Sequence, residues 1–482
     1  MLSCSGGVVR EKRDVRARVV CLSKAVKRPV PSCFRTRLVF YRNRPSAQRR
    51  RPAECDSIMD TPTHLLAAGS NGRGQLATGN FQDAHTFTPC IFADGESNTS
   101  PSPPGQSPAT IISIVGGGNH TIVLLSRVIN PAHLEAWGCG DGTKGQLGPA
   151  YIADAEGRAS DGGAVLRPLV LPWEEQGLFG YTISQVAACW ETSFFVLTKD
   201  GQHDLLASMG GNDFGDLGVG DLPSKKVPFH IVDLSHIVGS AAQHVSITDI
   251  TAGPHHAIVL LRADDKQHVA GWGTARHGQL GPLCAPSGRA LPLSPSPVAI
   301  DLLPIDVQLD PVLSVRAGNQ HSLFLHASGR ISALGSDAKG QLPGLLRTAG
   351  DVRAIDCTWN GSYLRTPLGL HSAGTNARGQ LGREHASPLA AVRFPDGVHV
   401  LDFSCGSEHV LAIVESQGMT EVWGWGWNEH GNLGTRSLDD VKVPVKIWPP
   451  STAESEAMTG IPVGVWAGCG TSWIAVSNCD PP

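Results

Sequence analysis

The chain has 482 residues with a formal net charge of −4, and this length exceeds what one ordinary hydrophobic core holds. No apolar run reaches the roughly 18 residues that a membrane-spanning helix needs, so we expect no membrane partner. The 56 glycines and 34 prolines, with only 17% charged residues, favour short strands and many turns over long exposed helices. A single domain of this size would be a large barrel or a repeat architecture.

Residues 1–58 differ in charge from the rest of the chain. They carry 15 lysines and arginines against 4 acidic residues, a net of +11, whereas residues 59–482 carry 24 against 39, a net of −15. We expect residues 1–58 to be a basic, disordered leader, with a mitochondrial presequence and sequence wrongly joined to the gene as alternatives. The folded domain is then predicted to occupy residues 59–482. Two inserts rich in Ser, Pro and Gly, residues 93–109 and 285–299, are expected to be mobile.

Two sequence elements alternate along residues 64–477, and each occurs seven times. The first reads "AAGSNGRGQL" (67–76), "WGCGDGTKGQL" (137–147), "SMGGNDFGDL" (208–217), "GWGTARHGQL" (271–280), "ALGSDAKGQL" (333–342), "SAGTNARGQL" (372–381) and "WGWGWNEHGNL" (423–433). The second is a pair of apolar strands joined by a turn, as in "ITDITAGPHHAIVLL" (247–261). Each period holds about four short strands, which is typical of a propeller blade. The sequence therefore predicts an all-β, seven-bladed β-propeller.

The order of the two elements predicts how the propeller closes. The first copy, "HLLAAGS", is the second half of a blade, and the last, "VWAGCGTSWIAV", is the first half. One blade is therefore expected to be completed jointly by N- and C-terminal strands, which leaves no free strand edge in the ring.

Three tryptophans alternate in "EVWGWGWNEHGNLG" (421–434). Trp425 shares its repeat position with apolar residues, so we predict that it is core. Trp423 and Trp427 stand where other copies hold unrelated or small residues. We interpret them as side chains that fill a local gap, with exposed partner anchors as the alternative.

The turn of the second element contains the candidate site residues. Histidines recur at one position of this turn, as His120, His256, His321 and His409, and the other copies are aligned with Glu191, Asn360 and Thr471 there. Side chains from different blades are too far apart to share one ion at roughly 2 Å, so structural hydrogen bonds are favoured and no metal or cofactor is expected. The preceding position varies freely, as Asn119, Trp190, His255, Gln320, Trp359, Glu408 and Gly470. A position that varies this freely in a tight turn is expected to be exposed to solvent.

Tryptophan is enriched at protein-binding hot spots, so Trp190 and Trp359 are candidate partner anchors. Packing of each indole over its own turn is the alternative. The glutamines of the first element, Gln75, Gln146, Gln279, Gln341 and Gln380, are expected to bond the neighbouring backbone.

The sequence contains no G-x-S-x-G elbow, P-loop, H-E-x-x-H or C-x-x-C motif, so we predict no catalytic activity. The 12 cysteines are scattered, which indicates a reducing compartment without a disulfide framework. We expect the protein in the cytoplasm and also in the nucleus, or in mitochondria if residues 1–58 are a presequence. An acidic propeller is expected to bind DNA poorly, because affinity depends on neutralising phosphates.

The G-x-N-x-x-G-Q-L-G and C-G-x-x-H-T pattern of residues 64–477 resembles the regulator of chromosome condensation repeat, whose members fold as seven-bladed propellers. The start "HLLAAGSNGRGQL" is most similar to the fungal alpha-tubulin-suppressor, Elongator-associated branch. That branch implies a monomeric or heterodimeric adaptor for a small CSL zinc-finger protein in tRNA wobble-uridine modification and diphthamide synthesis. The alternative is a guanine-nucleotide exchange factor for a small GTPase, with residues 149–172 or 282–311 as a candidate wedge. A third interpretation is a plant-type ultraviolet-B receptor, but its repeated G-W-R-H-T motif is absent.

Overall fold

The computed structural model describes residues 63–93, 109–127, 130–148, 151, 164–220, 229–342, 351–385, 388–450 and 460–477. These ranges form antiparallel β-sheet with one short helix, α1 (Ser235–Val238). The leader predicted at 1–58 and most of the insert at 93–109 lie outside them. Within them, no helix is long and apolar enough to cross a membrane.

The strands are described here in seven sets, A to G, which follow their hydrogen bonding except that one eight-stranded sheet is divided into sets B and C. In chain order they are β1 (Thr63–Gly69) and β2 (Ala84–Pro89) of set A; β3 (Ala109–Gly116), β4 (His120–Arg127), β5 (Asn130–Gly140) and β6 (Arg167–Pro168) of set B; β7 (Thr182–Ala188), β8 (Thr192–Thr198), β9 (Leu205–Gly210) and β10 (His230–Ile231) of set C; β11 (Val245–Ala252), β12 (His256–Ala263), β13 (Lys266–Thr274) and β14 (Leu293–Ala299) of set D; β15 (Val312–Ala317), β16 (His321–His326) and β17 (Ile331–Gly335) of set E; β18 (Ala354–Thr358), β19 (Gly361–Thr366), β20 (Gly369–Gly374) and β21 (Ala390–Ala391) of set F; β22 (Val398–Cys405), β23 (His409–Ser416), β24 (Met419–Gly426) and β25 (Val441–Trp448) of set G; and β26 (Ile461–Ala467) and β27 (Thr471–Ser477), which complete set A.

Set A joins strands from both ends of the described chain, in the order β2-β1-β27-β26. β1 pairs with β27 along its whole length, from Thr63 opposite Ser477 to Gly69 opposite Thr471. The predicted sharing of one sheet by N- and C-terminal strands is thus what the structure shows. Sets B and C form one eight-stranded sheet, although a single residue pair, Leu134 opposite Ile183, joins them.

The first strands of the sets contact one another in cyclic order. β3 contacts β7, and the series continues through β11, β15, β18, β22 and β26, which returns to β3. Each pair of neighbouring sets encloses its own cluster of buried apolar side chains. The core is therefore divided among the contacts between sets.

The second strand of a set is buried on both faces. In β12, Ile258 and Leu260 pack toward set E, whereas Ala257, Val259 and Leu261 pack toward set C, and all five are 0% exposed. Successive side chains point to opposite faces of a strand. A strand buried between two neighbours therefore reads as a continuous apolar run, "AIVLL", rather than as an alternating pattern.

Trp425 is buried between sets F and G, which confirms the prediction that it is core. Its indole N–H donates to the Gln380 carbonyl oxygen at 2.9 Å. The expectation of a mobile insert at 285–299 is wrong for residues 293–299, because they form β14, which pairs with β13. Pro295 and Pro297 misled that expectation, but a proline is tolerated on an outer strand, where one edge needs no N–H donors.

Candidate functional site

The first turns, which join the first and second strands of each set, have a common backbone bond. In set B the Gly117 N–H donates to the His120 carbonyl oxygen at 2.9 Å, and in set C the Cys189 N–H donates to Thr192 at 2.8 Å. Thr192 is therefore the structural equivalent of His120. The sequence alignment placed Glu191 there, one residue too early.

The same shift applies in set F, where Gly361 pairs with Thr358 and takes the position that the alignment gave to Asn360. Trp190 and Trp359 consequently stand two residues before the histidine position, where set B has Gly118. The residues equivalent to Asn119 in these two sets are Glu191 and Asn360.

Backbone hydrogen bonds link the first turns of successive sets. They run from Gly118 N to Trp190 O, from Trp190 N to Pro254 O, from Asn319 N to Trp359 O, from Trp359 N to Ser407 O and from Ser407 N to Gly468 O, at 2.8 to 3.0 Å. Pro254 has no N–H, so the corresponding bond from set D to set E cannot form. These bonds hold the turn of Trp190 to those of sets B and D, and the turn of Trp359 to those of sets E and G.

Trp190 of set C and Trp359 of set F contact each other, although sets D and E lie between sets C and F in the cyclic order of contacts. Their ring centroids lie 5.9 Å apart, with 46° between the ring planes. Trp190 also covers Gly118, where an added Cβ would lie 2.7 Å from the indole. The two indoles, both half-buried, therefore form one surface, defined here with His255 as the aromatic surface. The centroid of the His255 ring is 6.4 Å from that of Trp190.

Glu408 connects its first turn to the preceding set. It accepts a hydrogen bond from Asn360 Nδ2 at 2.9 Å and another from Gln380 Nε2. Burial raises the pKa of the Glu408 carboxyl above its usual range. Glu408 thus has structural partners within the protein.

The remaining candidate residues have separate surroundings. Asn119 is exposed, and the Gln320 carbonyl accepts the Ser336 N–H at 2.8 Å. The half-buried Trp423 packs on Phe394 at 6.0 Å and donates to Glu421, and Trp427 packs edge-on against His430 at 5.3 Å. The contacts of Trp423 and Trp427 are consistent with the gap-filling interpretation.

The four histidines bond serines of the next set. The pairs are His120–Ser193 at 3.0 Å, His256–Ser322 at 3.1 Å, His321–Ser362 at 3.1 Å and His409–Ser472 at 2.9 Å, each from Nε2 to Oγ. Sets C, F and A lack the histidine, and the sets that follow them have Ala257, Val410 and Thr121 instead of the serine. The expected structural hydrogen bonds are confirmed. The serine partner was missed, but its co-occurrence with histidine one repeat earlier is visible in the sequence.

The histidine rings are neutral in the folded protein. Burial lowers the pKa to about 4 for His120, His321 and His409 and to about 3 for His256. Ser322 shows which nitrogen carries the proton: its hydroxyl donates to the Gln279 carbonyl at 2.8 Å, so its oxygen accepts from His256 Nε2. Among the described residues, no group of three or more His, Cys, Asp or Glu side chains could hold a metal ion.

A glycine three residues before each histidine makes room for the ring. At Gly318 an added Cβ would lie 2.2 Å from His321 Cε1 and 2.9 Å from the Thr358 carbonyl oxygen. We expect Gly318→Ala to lower the free energy of unfolding by about 3 kcal/mol, because both atoms belong to packed groups that cannot move away freely. Urea unfolding measures this loss.

Gly72→Ala is the matched control, because nothing lies within 4 Å of a Cβ there and its φ is not positive. It should change the free energy of unfolding by less than about 0.5 kcal/mol. Equal losses in the two variants would contradict the steric explanation.

The chain is similar in sequence to several known proteins. Residues 421–467 match the family model described as the regulator of chromosome condensation (RCC1) repeat. The chain is 27% identical to the ultraviolet-B receptor of Arabidopsis thaliana, over 78% of this chain and 76% of the receptor. It is 28% identical to the mouse (Mus musculus) secretion-regulating guanine nucleotide exchange factor, over 80% of this chain and 79% of that protein.

The solved structures show the same fold. Prp20p of Saccharomyces cerevisiae matches with a TM-score of 0.64 at 18% identity, over 88% of this chain and 93% of that chain. Human WBSCR16 matches with a TM-score of 0.58 at 19% identity, over 86% and 98%. The matched repeat and these relatives make the chain similar to proteins of the regulator of chromosome condensation repeat family.

Proposed function

We propose that sets A to G are the seven blades of a closed propeller. The cyclic order of first-strand contacts, which returns from β26 to β3, supports this arrangement. So does the presence of one buried cluster at each contact between neighbouring sets, including the contact between sets G and A. In such a ring Trp190 and Trp359 belong to blades C and F, which are not adjacent. Their contact would then lie across the central axis.

We infer that the protein is a non-catalytic protein-interaction module that binds its partner at the aromatic surface. The observation that carries this proposal is the contact between two half-buried indoles on turns that the backbone holds in place. Rigid aromatic side chains supply contact area without much loss of conformational entropy, which suits them to be anchors. For the partner we propose a small CSL zinc-finger protein, on the N-terminal resemblance, with the cytoplasm and nucleus as the compartments.

Affinity purification of the full-length protein from its own cells, followed by mass spectrometry, tests the binding site. We expect the Trp190→Ala/Trp359→Ala variant to recover at least tenfold less partner than the wild type, because truncation removes both anchors. Trp423→Ala, which truncates an indole packed on Phe394, is the control and should retain the partner. Thermal unfolding of all three proteins shows whether each variant is folded. Retention of the partner by the folded double variant would reject the proposed surface.

Nucleotide exchange on a small GTPase is the second candidate function. The loop between β14 and β15 exposes Leu303 and Leu309, which are 83% and 85% accessible, and such apolar side chains suit insertion into a partner. The similarity to the secretion-regulating guanine nucleotide exchange factor supports the same function. Recovery of a nucleotide-free GTPase in the same purification would favour exchange, and recovery of a zinc-finger protein would favour the adaptor role.

A further inference from the structure

Asp216 takes the position that glutamine holds in five other sets. In those sets the glutamine Oε1 accepts the backbone N–H two residues earlier, as from Arg73 to Gln75 at 2.9 Å, which confirms the expected glutamine bonds. Asp216 keeps this role, because its Oδ2 accepts the Phe214 N–H at 3.1 Å. The substitution therefore preserves the turn and adds a negative charge.

The second carboxylate oxygen of Asp216 is buried without a hydrogen-bond donor. Asp216 is 5% exposed, and its Oδ1 has no hydrogen-bond partner. His255 Nδ1 lies 3.5 Å from this oxygen and also lacks a hydrogen bond. A buried acceptor left unsatisfied costs free energy, so a ligand that brings a donor to Oδ1 would bind favourably.

A pocket of about 260 Å³ lies at this carboxylate, between sets C and D. Its lining combines three acidic side chains with three aromatic ones: Glu191, Asp213, Asp216, Trp190, Phe214 and His255. Among the residues that the structure describes, no lysine or arginine lines it. The Phe214 ring is 40% exposed and lies 4.2 Å from the His255 ring, centroid to centroid. Lys144 Nζ lies 3.7 Å from Glu191 Oε2, and the two side chains are 48% and 38% exposed.

We propose that this pocket binds an arginine side chain of a protein partner, an inference that rests on the proposed partner binding at the aromatic surface. A guanidinium group is planar and carries five N–H donors, so it can stack on an indole or phenyl ring while it donates to a carboxylate. Such charge-assisted hydrogen bonds are stronger than neutral ones. Trp190 belongs to both the pocket and the aromatic surface, so an arginine held here lies against the anchor indoles.

Isothermal titration of the full-length protein with acetyl-Gly-Arg-Gly-amide tests this pocket directly. We expect saturable binding with a Kd on the order of 1 mM. The citrulline peptide, which has the same shape without the charge, should bind at least tenfold more weakly, and the lysine peptide severalfold more weakly. Asp216→Asn should weaken arginine binding at least fivefold, while its amide oxygen can still accept the Phe214 N–H. Phe214→Ala tests the stacking contribution with an intact carboxylate.

Asp200→Asn is the matched control, because it removes the same charge from an exposed turn outside the pocket and should not change the Kd. Equal binding of the arginine and citrulline peptides, or equal losses in the Asp200 and Asp216 variants, would overturn the proposal. Absence of peptide binding would reject the pocket even if the Trp190/Trp359 double variant loses its partner. Peptide binding in the wild type together with an unaffected partner in that double variant would reject the proposed function and leave the pocket standing.

Discussion

Deleting residues 461–477, which removes β26 and β27, is expected to unfold the whole domain rather than one set of strands. β27 is the only described partner of β1 besides β2, and β26 contacts both β22 and β3. The deletion therefore removes half of set A and opens the apolar clusters that set A shares with sets B and G. Because each core cluster lies between two sets, neither neighbour can bury its face alone. Circular dichroism should show loss of the cooperative thermal transition.

A point variant separates this effect from a local change in β26. Ile461 is 37% exposed at the start of the strand, so Ile461→Ala should leave the thermal midpoint nearly unchanged. Retention of a cooperative transition by the truncated protein, with the β signal reduced only by the share of set A, would contradict the expectation.

Acidification from pH 7.5 to pH 5 is expected to lower the free energy of unfolding by about 8 kcal/mol through the four buried histidines. The folded-state pKa is about 4 for three of them and about 3 for His256, against an ordinary value of 6.5. The unfolded chain therefore binds protons that the folded chain does not. This contribution to stability is fully present above pH 6.5 and is lost as the pH falls toward 4, by about 2 kcal/mol per histidine at pH 5.

Urea unfolding of a histidine variant at the two pH values measures how much one ring contributes to the pH dependence of the free energy of unfolding. His321→Asn removes the titrating ring, so the difference between pH 7.5 and pH 5 should shrink by about 2 kcal/mol. His399→Asn replaces an exposed histidine and should keep the wild-type difference. An unchanged difference in the His321 variant would show that this ring does not govern the pH dependence.

The fold could be predicted from the sequence because the apolar residues of each repeat indicate which strands are buried. Apolar runs such as "AIVLL" mark strands buried on both faces, and the glycine turns mark where they end. The alignment of the first turns failed in sets C and F because both lack the histidine, and only the backbone bonds to Thr192 and Gly361 establish the register.

The candidate site was only partly predictable. Trp190 and Trp359 were identified as unusual, but their contact joins sets far apart in the chain, and no local pattern encodes such a contact. Asp216 can be recognised in the sequence "GNDFGDL" as an exception, because the other repeats have glutamine or asparagine at this position. The sequence does not show that Asp216 Oδ1 lacks a hydrogen bond or that it lies 3.5 Å from His255 Nδ1. Both facts come from the structure.

The pairing of β1 with β27 has a consequence for biosynthesis. A ribosome releases β1 hundreds of residues before β27, so β1 exposes an unpaired edge throughout most of translation. Folding of the complete domain must therefore wait until β27 has emerged from the ribosome, unlike a string of independent domains that fold one after another. The nascent chain is a natural client for chaperones that shield strand edges.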